Sequence, residues 1–132
     1  MIGRAQLLLG QRWAVPVRLG EVQQISEPRR RNLLLRCTVE DGPADGPMSV
    51  ILKRARQRRY DPDDPKSRPA VGLFRDWAGL EFLSSLGTHQ LASPKFYGGD
   101  RAAGFFLMED LGGSQDLDHV LTYGSASQAR QA

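Results

Sequence analysis

The segment from Phe105 to Gly112 (FFLMEDLG) constrains the fold most, because a short apolar run ends there in two adjacent carboxylates. Such a short, aromatic-rich run is typical of a buried strand rather than a helix. Glu109 and Asp110 cannot continue into a core, so the chain is expected to emerge at that point. A glycine pair then permits a turn, and Ser114 can cap a following helix. The apolar side of that helix would comprise Leu117, Val120 and Leu121.

Three strands in succession are predicted in the first half of the chain. Residues 15–25, 33–39 and 48–52 have strand character and are rich in apolar residues. Polar turns containing glycine or proline separate them at 26–32 and 41–47. Three consecutive strands joined in this way form an antiparallel meander.

One helix and two more strands follow. The apolar positions of the helix are Leu73, Trp77, Leu80, Leu83 and Leu86, and Gly87 is its expected stop. The charged segment 54–69 before it is expected to be a mobile loop. Strands are predicted at 95–97 and 104–108, with a turn at Gly98–Asp100 between them. The predicted fold class is therefore α+β, a five-stranded antiparallel sheet packed on one helix.

Composition indicates one small soluble domain. The chain has 132 residues, of which 40% are hydrophobic and 25% charged. It has no apolar run long enough to cross a bilayer and no secretory signal pattern, so a cytoplasmic location is expected. Cys37, the single cysteine, lies in an alternating apolar segment and is expected to be a buried thiol. His89 and His119 lack metal-ligating neighbours, and neither is assigned to a metal.

The ordered set of elements resembles the amino-terminal lobe of kinase-like small-molecule phosphotransferases, the aminoglycoside phosphotransferase and choline kinase group. Four features carry the resemblance, in this order: Lys53 at the end of the strand SVILK, the acid-bearing helix DWAGLEFL at 76–83, the pair of strands at 95–97 and 104–108, and the connector MEDLG at 108–112. The resemblance covers 15–121. It implies a protein-kinase-like fold whose connector is a hinge that binds the adenine of ATP.

The resemblance implies that Lys53 contacts the phosphates of the nucleotide. Strand alternation places Ile51 and Lys53 on one face, where a terminal ammonium suits a phosphate oxygen. In the family an acid on the packed helix holds this lysine. Asp76 aligns with that acid, although the family usually has Glu there, and Glu81 remains an alternative. Ile51 and Val22 are candidates for the roof of the adenine pocket.

Residues 26–32 take the place of the family's phosphate-covering loop and depart from its pattern. Gly or Ser commonly lets backbone amides approach phosphate, whereas this loop has a proline and three arginines. Asn32 matches the family's frequent Asn at the end of the loop. Arg31 is a candidate for direct contact with phosphate. The alternative, a solvated turn, is preferred for Arg29 and Arg30.

The connector supplies the adenine contacts that the resemblance implies. Met108 would lie at the back of the adenine pocket. The carbonyl of Glu109 would accept from the adenine amino group, and the amide of Leu111 would donate to a ring nitrogen. These are main-chain contacts, so side-chain identity specifies them weakly. Asp110 is expected to be solvated.

The resemblance divides the chain into a loose arm at 1–12, a nucleotide-binding lobe at 13–109, and a hinge with the start of a truncated helical lobe at 110–132. In the family the second lobe carries one Asp that positions the acceptor hydroxyl and another that holds magnesium. The context of His119 lacks such an Asp. No catalytic or metal-binding residue is therefore assigned. ATP with magnesium, and a small hydroxylated acceptor, are expected in the complete enzyme, and this chain alone is expected to be inactive.

Two other classes compete with this interpretation. A net charge of +3 admits a basic nucleic-acid-binding module that uses 29–31 and 53–59. It is less favoured, because aromatic residues are not interleaved with these basic residues, apart from Tyr60. The third class is a non-catalytic fragment that pairs with a missing lobe or partner chain. The unfinished helix after Ser125 favours it, because that helix would leave apolar surface uncovered.

Overall fold

The computed structural model describes residues 1–26, 32–86 and 94–112 of the chain. Within these ranges it contains two helices and five strands: α1 (Ile2–Trp13), β1 (Arg18–Gln24), β2 (Asn32–Asp41), β3 (Ser49–Ala55), α2 (Arg68–Ser85), β4 (Phe96–Asp100) and β5 (Phe105–Glu109). The helices predicted after Ser114 and Ser125, and the stop predicted at Gly87, lie outside the described residues.

The strands form one antiparallel sheet in the order β1-β2-β3-β5-β4. The predicted α+β class with a five-stranded antiparallel sheet is therefore confirmed. β3 is the central strand, and its neighbours on the two sides are β2 and β5. Leu34 and Phe106 lie opposite Lys53 across these two strand pairs, and Met108 lies opposite Ile51. The register thus sets Lys53 and Ile51 beside the residues that lead into the connector.

Strand alternation divides the core into two layers, one on each face of the sheet. Val50 and Leu52 pack in the layer that contains the buried residues of α1. Ile51 packs in the layer that contains the buried residues of α2. Cys37 belongs to the α1 layer, and burial raises the pKa of its thiol to about 11. The expectation of a buried thiol at this position is confirmed.

The loose arm predicted for 1–12 is wrong, because these residues form α1. Ile2, Ala5, Leu9 and Trp13 recur at the spacing of one helical face, and all four contact the core. Ala5 and Leu9 are fully buried. The apolar run at positions 7–9 obscures this period in the sequence. The sheet consequently carries one helix on each face rather than the single helix that was predicted.

The loop expected at 54–69 is shorter, because β3 and α2 take its two ends and leave only 56–67 between them. The amides of Tyr60, Asp64 and Ser67 each donate to a carbonyl three residues earlier. The connection is therefore folded into successive turns that lead into α2.

The turn predicted at Gly98–Asp100 is also wrong, because these residues belong to β4. The turn lies at 101–104 and ends at Gly104, whose φ is +79°. The ring of Trp77 covers Gly99 so closely that an added Cβ would lie 2.5 Å from a ring carbon. Close packing against α2, and not a turn, explains the glycine at position 99.

Candidate functional site

Lys53 is a buried cation near the end of the central strand. The residue is 3% exposed, and it lies between Leu34 and Phe106 across the two neighbouring strands. Both neighbours belong to the α2 layer of the core. A charged amine in such surroundings is costly unless an acid faces it. The position therefore requires a carboxylate from the helix that covers this layer.

Asp76 of α2 supplies that carboxylate. The Nζ of Lys53 donates to Oδ2 of Asp76 at 2.6 Å. Asp76 follows Leu73 by three positions and precedes Leu80 by four, so it lies on the buried side of the helix. Glu81, the alternative partner, is exposed. The side chain of Lys53 is 4% exposed and that of Asp76 is 21% exposed, so solvent reaches the pair from the side of the carboxylate.

Asn32 lies on the same face of the sheet as Lys53. It pairs with Ala55 in the register in which Leu34 pairs with Lys53, which places it about 7 Å further along the strands. Its Oδ1 is buried and has no hydrogen-bond partner within the described ranges. A buried acceptor in this state is stabilised by any hydroxyl or amine donor that reaches it. Arg31, the neighbouring candidate, lies outside the described residues.

Asp110 anchors the connector to the sheet and is not solvated, contrary to expectation. The Nε of Arg36 donates to Oδ2 of Asp110 at 2.6 Å, and its Nη2 donates to Oδ1 at 3.2 Å. The hydroxyl of Ser49 donates to Oδ2 at 2.6 Å, and the amide of Gly112 donates to Oδ1 at 2.8 Å. The side chain of Asp110 is 7% exposed. One carboxylate therefore joins the connector to β2 and β3.

The titration of Asp110 reflects this environment. Burial acts to raise the pKa of its carboxyl, but the hydrogen bonds from Arg36, Ser49 and Gly112, together with the Arg36 charge, outweigh burial and hold the pKa below its usual value. The hydrogen bond to Asp110 in turn raises the pKa of the Arg36 guanidinium. Both groups are therefore charged at neutral pH, and the pair is a charge-assisted, two-point contact.

In the main chain of the connector, the amide of Glu109 is hydrogen-bonded, whereas the amide of Leu111 is not hydrogen-bonded to any described residue. Glu109 ends β5, where its amide donates to the carbonyl of Lys95 at 2.8 Å and its Oε1 accepts from the amide of Lys95 at 3.1 Å. The amide of Leu111 has no hydrogen-bond partner within the described part of the chain. The Leu111 side chain is exposed.

The three apolar residues predicted to contact the adenine base do not form one open pocket in the structure. Ile51 and Met108 are cross-strand neighbours, but both are fully buried in the α2 layer of the core. They contribute no open surface in this conformation. Val22 lies opposite Cys37, which belongs to the α1 layer. Since cross-strand neighbours share a face, Val22 is on the other side of the sheet from Ile51. The structure does not bring these two residues together.

Arg36 and Ser49 are the residues of this site that the sequence interpretation missed. Arg36 lies opposite Ile51, so its stem is on the same face as Lys53. A signal was present, because an arginine that alternates with inward-facing leucines in a strand needs an acid partner. The sequence does not show that the partner lies 74 positions away, at Asp110.

No protein-family model matches the chain, and no curated protein matches its sequence. Among the residues that the structure describes, no helix is long and apolar enough to cross a membrane. Over the same ranges, no group of three His, Cys, Asp or Glu side chains is placed to hold a metal ion.

Proposed function

We propose that this chain forms the nucleotide-binding lobe of an ATP-dependent phosphotransferase that acts on small hydroxylated molecules, similar to the aminoglycoside phosphotransferases. The observation that carries the proposal is the ion pair between Lys53 and Asp76, with 2.6 Å between Nζ and Oδ2. Relative to well-packed apolar residues, a buried ion pair contributes little net stability. Its presence on the central strand therefore favours a functional role.

The chemistry of Lys53 suits phosphate. Its ammonium carries three N–H donors, and Asp76 accepts one of them at 2.6 Å. The remaining donors are available to phosphate oxygens that approach from the exposed side of the carboxylate. Asp76 fixes the direction of the amine, so that binding a nucleotide costs less side-chain entropy. In this proposal Lys53 contacts the phosphates and Asp76 is a positioning residue.

The connector would hold the base of the same nucleotide. The amide of Leu111 would donate to a ring nitrogen, and the carbonyl of Glu109 would accept from the exocyclic amine. The contacts of Arg36 and Ser49 with Asp110 keep this segment against the sheet, so its polar groups are held in place before a ligand arrives. Asn32 would accept a hydrogen bond from the ribose or from a phosphate-bound water through its buried Oδ1.

Phosphoryl transfer needs groups beyond this lobe. When bound, magnesium would neutralise the charge of the phosphates, and an acid of the second lobe would orient the acceptor hydroxyl. The described residues hold no cluster of metal ligands. We therefore assign to this chain the binding and orientation of ATP, and to a second lobe the acceptor and the metal ligands.

Calorimetric titration with a non-hydrolysable ATP analogue and magnesium tests the proposal. We expect saturable binding to the wild-type chain and at least about tenfold weaker binding to the Lys53→Met variant, which removes a charged hydrogen-bond donor. The matched control is Lys95→Met, because Lys95 is an exposed lysine at the other edge of the connector. Equal affinity in all three proteins, or no binding to any of them, would contradict the proposed function.

The role of Asp76 needs its own comparison. Asp76→Asn keeps the shape of the side chain but removes the charge that orients Lys53. We expect it to weaken binding of the analogue, whereas Glu81→Gln on the exposed side of the same helix should have no effect. Melting curves on each variant separate loss of binding from loss of folding.

A further inference from the structure

A second concave site lies beside the first turns of α2. It is a cavity of about 520 Å³, within the usual size range of small-molecule sites. Four cationic residues line it: Arg56, Lys66, Arg68 and Arg75. Its other walls are two prolines, a valine and a glycine. None of the described residues that line the cavity is acidic or aromatic.

Three of the cations that line this cavity, Lys66, Arg68 and Arg75, form no ion pair with an acid among the described residues. The described acids that precede Lys66 most closely in sequence form no ion pair with its ammonium group. Asp64 accepts from the amide of Lys66, and Asp63 pairs with Arg101. Several like charges held around one cavity produce a positive potential that favours an anionic ligand.

The N-terminus of α2, beside the cavity, adds to the positive potential. The first turn of α2 contains no acidic residue, and its N-cap, Ser67, makes no side-chain cap. The Ser67 hydroxyl instead donates to the carbonyl of Arg59 and accepts from the amide of Asp61. The positive end of the helix is therefore not compensated by its own side chains.

The cavity is separate from the Lys53 site. Arg68, Val71, Gly72 and Arg75 are spaced at three and four residues, so they lie along one stripe of α2. Asp76 is turned about 100° from Arg75 around the helix, towards the sheet. A ligand in the cavity would therefore contact the outer flank of the helix and not the Lys53–Asp76 pair.

We infer that this cavity binds a small phosphorylated molecule with more than one phosphate group. Lys66, Arg68 and Arg75 can together satisfy several anionic oxygens, and guanidinium groups do so by two-point contacts. The prolines and Val71 would contact the organic part of the ligand. Single-stranded nucleic acid is disfavoured, because none of the described lining residues has an aromatic ring on which a base could stack. This inference does not depend on the function proposed for Lys53.

Site-resolved NMR with inorganic pyrophosphate as the probe tests the inference. In the ¹⁵N-labelled chain at constant ionic strength, we expect saturable shifts of the amide signals of Ala70, Val71 and Gly72. Orthophosphate should bind more weakly at the same amides. The Arg68→Gln/Arg75→Gln variant should bind pyrophosphate at least about tenfold more weakly, because two charged donors are lost.

Two controls make the result decisive. Arg18→Gln changes an exposed arginine of β1 and should leave the affinity unchanged. Lys53→Met should also leave it unchanged, and a loss of binding in that variant would place pyrophosphate at the other site and overturn the inference. Equal affinity of the double variant and the wild type would overturn it as well. So would a short single-stranded oligonucleotide that shifts the same amides at lower concentration than pyrophosphate does.

Discussion

Asp76 and Asp110 each hold one cation on the same face of the sheet, in different surroundings. Asp76 retains 21% side-chain exposure and faces a lysine that is almost completely buried. Asp110 is 7% exposed and receives hydrogen bonds from Arg36, Ser49 and the amide of Gly112. The first carboxylate can share its cation with a ligand. The second is committed to holding the connector, so the two should respond differently to substitution.

Removal of Asp76 should destabilise the chain more than removal of Lys53. Asp76→Ala leaves a buried ammonium without its partner, which costs about 3–5 kcal/mol. Lys53→Met leaves a carboxylate that still reaches water, and we expect a smaller loss. Urea denaturation at pH 7 measures both, with Glu81→Ala as the exposed control, expected to change stability by about 0.5 kcal/mol or less. A larger loss for Glu81→Ala than for Asp76→Ala would contradict the pairing.

Asp110 should contribute stability that depends on pH. Its folded pKa is lower than that of an unfolded carboxyl, so its contribution is complete above the unfolded pKa of about 4 and is lost as pH falls through the folded value. Asp110→Asn should lower the unfolding free energy at pH 7 by about 1.5–3 kcal/mol. The difference from wild type should stay constant from pH 7 to about 5 and shrink below about 4.

Denaturation series across this pH range check the prediction. Asp45→Asn, in the exposed turn between β2 and β3, is the matched control and should follow the wild type at every pH. A difference between wild type and Asp110→Asn that grows on acidification would have the wrong sign for a carboxyl with a lowered pKa.

At the scale of elements, the contact between β4 and α2 depends on the absence of a side chain at position 99. Gly99→Ala would place a Cβ at 2.5 Å from the Trp77 ring, and overpacking of this kind costs about 1–3 kcal/mol. Gly79→Ala is a matched control, because no atom lies within 4 Å of its added Cβ and alanine favours the helix by about 1 kcal/mol. Thermal denaturation should show opposite shifts for the two variants, and a stabilising Gly99→Ala would contradict the packing.

The attachment of α1 is tested in the same way. Leu9 is fully buried and Leu7 is 59% exposed. Leu9→Ala should therefore cost about 2–5 kcal/mol, whereas Leu7→Ala should be close to neutral. If both variants lose little and equal unfolding free energy in urea denaturation, residues 1–12 would be a loose arm, as the sequence indicated, and the packing of α1 would be contradicted.

The elements that could be predicted are those whose signal is local. The alternation of residues in β2 and β3 indicated the sheet and the shared face of Ile51 and Lys53. The apolar side of α2 indicated one of the two helices. The turn between β4 and β5 was misplaced, because Gly98 and Gly99 have the composition of a turn although Trp77 is what requires the second glycine. α1 was missed because its helical period is hidden in a leucine run. Asp110 was misassigned because its partners come from two distant strands.

At the scale of the whole molecule, the described part of the chain is a sheet covered by one helix on each face, and two separate basic features lie within it. One is the buried Lys53, which Asp76 holds beside the connector. The other is the cavity on the outer flank of α2. A net charge of +3 describes neither of them, because it does not show that Lys53 has a carboxylate partner whereas Lys66, Arg68 and Arg75 form no ion pair among the described residues. In the proposed function the first feature orients ATP for a second lobe, and the second feature is independent of it.

A crystal structure of the chain with magnesium and a non-hydrolysable ATP analogue tests the central claim most directly. We predict a phosphate oxygen at about 2.8 Å from the Nζ of Lys53, with Asp76 still in contact with that amine. The edge of the adenine should accept a hydrogen bond from the amide of Leu111. A nucleotide bound elsewhere, with Lys53 contacting no phosphate oxygen, would contradict the account.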